Sequence, residues 1–91
     1  MLHIVKSPQA LLELGAVVDE HDDVLLIEDA VYVANPQHKD FLKVKGMRVS
    51  VLIADLEARG VINRTSPSVA LVDYNGFVSL TAKHETSLTW N

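Results

Sequence analysis

Two acids stand side by side at the end of an unbroken apolar run: Glu28-Asp29 directly follows Val24-Leu25-Leu26-Ile27. Neighbouring carboxylates can share a Mg²⁺ ion or divide general acid and general base work between them. No third oxygen ligand stands at a telling spacing. Acids are also favoured at helix N-termini for their charge alone. The plainer reading has Asp29 capping the helix that follows and Glu28 facing solvent or a neighbour. The histidines are His3, His21, His38 and His84. None stands at HxH, HxxxH or HExxH spacing, so a zinc site is unsupported. His3 sits in an apolar run and reads as a hydrogen-bonded core residue; the other three, in polar surroundings, read as surface residues. Ser7, Ser50 and Ser66 lack a G-x-S-x-G context. Gly15, Gly46, Gly60 and Gly76 are scattered, which excludes a dinucleotide or P-loop phosphate site. The chain has no cysteine. It therefore forms no disulfide, no thiolate metal site and no redox switch. No catalytic residue, metal or cofactor is expected.

The elements that position these groups follow from hydrophobic periodicity. Leu2–Lys6 reads as a short buried strand. Ser7-Pro8 is a helix start, with Ser at the N-cap and Pro at the first helical position. Leu11, Leu14 and Val18 share a helical face, with Leu12 and Ala16 beside it. Asp19–Asp23 reads as a solvated polar turn. Val24–Ile27 lacks alternation and reads as a central parallel strand covered on both faces. Ala30–Ala34 reads as a short helix that Asn35-Pro36 breaks. Gln37–Lys45 reads as an irregular turn or a short surface helix.

Met47–Ile53 is a third strand. Asp55–Arg59 is a short helix that Gly60 ends in a left-handed conformation. Val61–Ser68 is a loop and Val69–Val72 a fourth strand. Asp73 caps a last helix, with Tyr74, Phe77, Val78 and Thr81 along one side. Thr86–Trp90 is a fifth strand or an arm. Strands alternating with helices over short links predict parallel strands joined by right-handed crossovers. The expected fold is a three-layer α/β/α domain over residues 1–91, with a mostly parallel sheet of four or five strands and a flavodoxin-like outline. Sites in such sheets form beyond the carboxyl ends of the strands. Lys6-Ser7, Glu28-Asp29, Ala54-Asp55 and Asp73-Tyr74 land there.

Composition narrows the function classes. Ninety-one residues allow one domain with a modest core. Apolar residues make up 48%, which suits either a dense core or a surplus placed in a subunit interface. Twelve acids against eight bases give a net charge of −4. Only Lys39–Arg48 forms a loose basic cluster, so tight direct contact with nucleic acid is not expected. No apolar run reaches membrane-spanning length, and the start has no signal-peptide pattern. A cytoplasmic protein is the default.

Several segments together resemble the TusB/DsrH family of sulfur-relay proteins, within the DsrE-like fold. They are Met1-Leu2-His3 followed by Ser7-Pro8, Leu25-Leu26-Ile27-Glu28-Asp29-Ala30-Val31-Tyr32, and Asp55-Leu56-Glu57-Ala58-Arg59-Gly60. Val72-Asp73-Tyr74-Asn75-Gly76-Phe77-Val78-Ser79-Leu80-Thr81 and Trp90 complete the set. They span nearly the whole chain in the family's order. The resemblance implies a cytoplasmic subunit of a heterohexamer, two copies each of TusB-, TusC- and TusD-like chains. That complex passes sulfur along towards 2-thiolation of the tRNA wobble uridine. In the family the active cysteine belongs to the TusD-like subunit, and some DsrH-like members carry a cysteine in the first helix. Here Leu11–Val18 has none, which favours a TusB-like accessory role, not an enzyme. Relay chemistry needs a thiolate, so a chain without one assists from outside the route.

Three rival readings stand beside it. One is a DsrH-like subunit of a DsrEFH complex in sulfur oxidation. Another is a receiver-like regulatory domain, but Lys6-Ser7 occupies the place where paired acids would follow the first strand. The last is a small enzyme using Glu28 and Asp29. Asp29, Tyr32, Arg59 and Trp90 are expected to serve packing or partner contacts. A homodimer through the same surface is expected in isolation.

Overall fold

Leu2-His3-Ile4-Val5 and Asp23-Val24-Leu25-Leu26 are buried at every position, and these form strands β1 (Leu2–Val5) and β2 (Asp23–Leu26) in the middle of the sheet. Burial on both faces is what an unbroken apolar run predicts for a parallel sheet with helices on either side. The structure, a computed structural model, describes residues 1–91. Three more strands complete the sheet: β3 (Arg48–Leu52), β4 (Ala70–Val72) and β5 (Ser87–Trp90). Their order is β4-β3-β2-β1-β5, and every pairing is parallel. The tail is thus a strand; Leu2 pairs with Ser87 and Val5 with Trp90.

Side chains alternate across the strands. Val5, Val24, Leu26, Val49 and Val51 face one layer, where they pack on Leu11, Leu14, Val31, Val44 and Leu56. That layer holds a 3-10 turn at Pro8–Ala10 running into α1 (Leu11–Leu14), a 3-10 helix at Glu28–Ala34, α2 (Phe41–Val44) and α3 (Ile53–Ala58). Leu2, Ile4 and Leu25 face the other layer, where Phe77 and Leu80 of α4 (Tyr74–Lys83) cover them. No helix is long and apolar enough to cross a membrane.

Two helix ends follow their sequence signals closely. At the end of α3 the amide of Gly60 (φ +66°) donates to the Glu57 carbonyl at 3.1 Å and that of Val61 to the Leu56 carbonyl at 3.0 Å. This is the Schellman arrangement that a C-terminal glycine permits. At the start of α4 the Asp73 carboxylate accepts the Gly76 amide at 2.8 Å, satisfying a donor that the helix leaves unpaired.

The inward face of α4 differs from expectation. Phe77 points inward as expected, but its companion is Leu80, while Tyr74 and Val78 are 64% and 63% exposed. Gly76 lies on the inward face. A Cβ there would stand 2.9 Å from the Cβ of Val72, so the helix meets the sheet through its bare glycine. Gly76→Ala should therefore lower stability by about 1 kcal/mol, although alanine is the better helix former. Gly15→Ala, where the added Cβ meets only ordinary contacts, should be neutral or stabilising. Thermal melts of the pair check this.

Other departures are smaller. Leu12 is 73% exposed and Ala16 is exposed, because α1 is only one turn long and breaks up at Gly15. The segment after β2 is a 3-10 helix that already begins at Glu28. Ser7 occupies the N-cap position before Pro8 but makes no capping bond. Its hydroxyl donates to the Asn91 carbonyl at 3.0 Å instead.

Candidate functional site

The carboxyl ends of the strands bring Lys6, Glu28, Asp29, Asp55 and Arg59 together. Glu28 opens the 3-10 helix with φ +50°, the one residue other than glycine with positive φ. Its amide donates to the Asp55 carboxylate at 2.6 Å. Its own carboxylate lies 3.4 Å from the Lys6 ammonium. Asp29 does not cap the helix; no side chain does. Instead its carboxylate accepts from Arg59 Nε at 3.0 Å, and the Arg59 Nη1 lies 3.9 Å from Asp55. Each acid of this edge is engaged by a cation or an amide. The cluster frames a surface, and none of the clefts is lined by Glu28, Asp29 or Asp55. No three His, Asp or Glu side chains converge as metal ligands.

The left-handed backbone at Glu28 stores strain that a side chain makes worse. Glu28→Gly should raise stability by up to about 1 kcal/mol, since the exposed pair with Lys6 contributes little. A denaturation midpoint that stays put or falls would show that the lost pair with Lys6 and the greater freedom of glycine in the unfolded chain offset the relief.

Tyr32 lies on the same 3-10 helix as Asp29 and is 39% exposed. Trp90 sits elsewhere, at the end of β5 against the first layer. Its indole N–H donates to His3 Nδ1 at 3.1 Å. His3 is 1% exposed, and its Nε2 lies 2.9 Å from the Asp22 carboxylate. An indole only donates, so Nδ1 is bare and the ring proton is on Nε2, pointing at Asp22. The Asp22 carboxyl is held well below the ordinary carboxylate range, first by the Asp19 amide, then by His3 and the Met1 amino group.

The neighbouring acid serves the opposite face of the sheet. Asp23 is 6% exposed. His84 Nε2 lies 2.7 Å from its carboxylate, Lys83 Nζ 3.1 Å and Arg48 Nε 3.3 Å. Burial disfavours its charge, yet the bonds from His84 and Lys83 and the charge of Arg48 outweigh that and lower its pKa. Asp40 is likewise lowered, chiefly by its bond from Lys43.

This corrects two sequence expectations. The polar turn is not simply solvated, because its last two residues are the roots of two histidine networks. His84 is not a surface residue, its side chain being 10% exposed. His38 is partly buried, with Nδ1 accepting the Asp40 amide at 3.0 Å. Only His21 lies in the open. The missed signal was an acid opening a strand that is otherwise wholly apolar. Such an acid must find a partner.

The DsrH like protein family profile matches residues 6–87. The Protein TusB of Pectobacterium parmentieri is 37% identical over 97 residues, covering 99% of this chain and all of the relative. The Protein TusB of Buchnera aphidicola subsp. Baizongia pistaciae is 35% identical over 95 residues, and that of Escherichia coli K12 33%, each with the same coverage. A solved structure of a protein of unknown function from Methanobacterium thermoautotrophicum superposes with a TM-score of 0.72 at 15% identity. It covers 97% of this chain and 95% of that one, a likeness of fold.

Proposed function

This chain belongs to the DsrH-like family, and from that membership we propose that it is a subunit of a TusBCD-like sulfur-relay complex supporting 2-thiolation of the tRNA wobble uridine. The observation that carries the reading is end-to-end similarity, at 33% to 37% identity, to proteins named TusB. Chemistry agrees with it. A persulfide relay passes sulfur between thiolates, and this chain has no cysteine. The sulfur therefore rides on companions, TusC- and TusD-like chains in a heterohexamer in the cytoplasm, and this subunit holds them in place without catalysing transfer.

Tyr32 is the proposed anchor on the companion. It is a part-exposed aromatic on the same 3-10 helix as Asp29, whose carboxylate pairs with Arg59, and aromatic and arginine residues concentrate binding energy at interfaces. Trp90 supports the same role from within, by tying β5 to β1. In isolation the exposed surface supports a homodimer.

Deletion of the gene, followed by mass spectrometry of tRNA nucleosides, tests the proposal. The expected result is loss of 2-thiouridine at the wobble position, restored by the gene in trans. Normal 2-thiouridine in the deletion strain would defeat it. The family description favours one second reading, a DsrH-like subunit in sulfur oxidation. In that case the deletion leaves tRNA unchanged and impairs growth on reduced sulfur.

A further inference from the structure

An apolar cleft of about 310 Å³ opens where α2 meets the start of β3 and the segment leading into β4. Its walls are Phe41, Val44, Met47, Val49 and Val69, and Lys45 stands among them. The nearby hydroxyls of Ser66 and Ser68 bond to each other at 2.8 Å, and the Ser68 amide donates to Ser66 Oγ at 3.1 Å. The two hydroxyls are thus largely engaged with each other, and Lys45 is the one charged group at the cleft.

The cleft adjoins an open edge. Strand β4 pairs only with β3, so the backbone groups on its far side meet no strand. Natural edges are kept very short or are blunted with lysine, proline or a bulge, and β4, at three residues, is short. Ala70-Leu71-Val72 has no charge and no proline, and Leu71 is 46% exposed there. Val69 and Leu71 fall on the same side of the strand by its two-residue repeat, joining cleft and edge into one apolar track.

Charge defines the occupant further. Lys6, Lys43, Arg48, Arg59 and Lys83 are each paired with an acid. Lys39, Lys45 and Arg64 are not. Lys45 lines the cleft, and no acid does, in a chain of net charge −4. We propose that the β4 edge and its cleft bind an extended acidic segment of a partner protein. The segment adds a strand beside β4, sets an apolar side chain into the cleft and brings a carboxylate to Lys45. Main-chain bonds supply affinity and the cleft and lysine supply selectivity, as in other strand additions. A second copy of this chain meeting the edge symmetrically would set like charge against like. The inference stands apart from the sulfur-relay reading, because it uses only the edge, the cleft and the free cation.

Fluorescence anisotropy on the whole protein tests it with three labelled peptides of about ten residues, long enough to span a strand. One alternates valine and threonine between glutamates, the second has lysines in place of the glutamates, and the third is the acidic peptide with a central proline. The acidic peptide should bind saturably. The lysine and proline versions should each bind about tenfold more weakly, one through charge and the other through a lost strand bond. Leu71→Lys and Lys45→Glu, both at exposed positions, should each weaken the acidic peptide about tenfold. Leu12→Lys, away from the cleft, should leave it unchanged. Absence of saturable binding, or equal binding of all three peptides, overturns the proposal. So does binding that survives Leu71→Lys but is lost in Ser68→Phe, which would show the peptide held by the cleft alone and not by the strand edge.

Discussion

Trp90→Ala should cost about 3 kcal/mol of folding stability and lower the melting temperature by about 15 °C. Two losses add. The ring leaves the layer formed by α1 and the neighbouring strands, where Trp90 packs against the core. In addition, His3, 1% exposed, loses the donor to its Nδ1 and is left with an unsatisfied buried acceptor. Trp90→Phe separates the two. It keeps most of the packing, loses the hydrogen bond, and should cost about 1 kcal/mol. Calorimetry or urea unfolding of wild type and both variants gives the comparison. Equal costs for Phe and Ala would mean that the bond to His3 dominates. A negligible cost for Ala would mean that β5 is held by its backbone pairing with β1 alone. That outcome would also remove Trp90 from any indirect part in partner binding, because the tail would not need its anchor.

Asp23→Ala should cost about 2 kcal/mol and about 10 °C. The full penalty for breaking a buried ion pair is larger, but Arg48 and Lys83 are half exposed and water takes back their charge. His84 is the group that suffers, since its side chain is 10% exposed and loses its 2.7 Å partner. The same network sets the response to acid. Asp22, Asp23 and Asp40 all have folded pKa values below the ordinary carboxylate value. A depressed carboxylate contributes its stabilisation in full above the unfolded pKa of about 4 and loses it as pH falls through the folded pKa. Wild-type stability should therefore fall steadily from about pH 4 downward. Asp23→Ala should start lower and fall less steeply, having one depressed carboxylate fewer. Parallel pH profiles for the two proteins would place the acid sensitivity elsewhere.

Asp22 and Asp23 explain how one short turn supports both layers. Successive residues entering a strand point to opposite faces. Asp22 therefore reaches His3 and, through it, Trp90 on the face of the main core. Asp23 reaches His84 at the end of α4 on the other. The two outermost parts of the chain's second half, the tail strand and the single helix of the second layer, are both tied to this one dipeptide.

Local chemistry was legible in the sequence wherever its cause lies within a few residues. The strands Leu2–Val5 and Asp23–Leu26 lie within a residue of the runs Leu2–Lys6 and Val24–Ile27, the end of α3 follows from Gly60, and the start of α4 from Asp73. The lack of a thiol is equally a matter of sequence, and it means that this chain cannot itself carry a cysteine persulfide. What only the tertiary structure decided are relations across long separations. Among them are the pairing of β5 with β1, the packing of α4 through Phe77 and Leu80 with Gly76 close to Val72, and the burial of His84 on Asp23. The left-handed backbone of Glu28 and the open β4 edge beside its cleft belong with them. Periodicity says that a residue is to be buried. It does not say against what, because the partner of a buried acid or the free side of a strand is fixed by the order of strands in the sheet, and that order is a property of the whole chain.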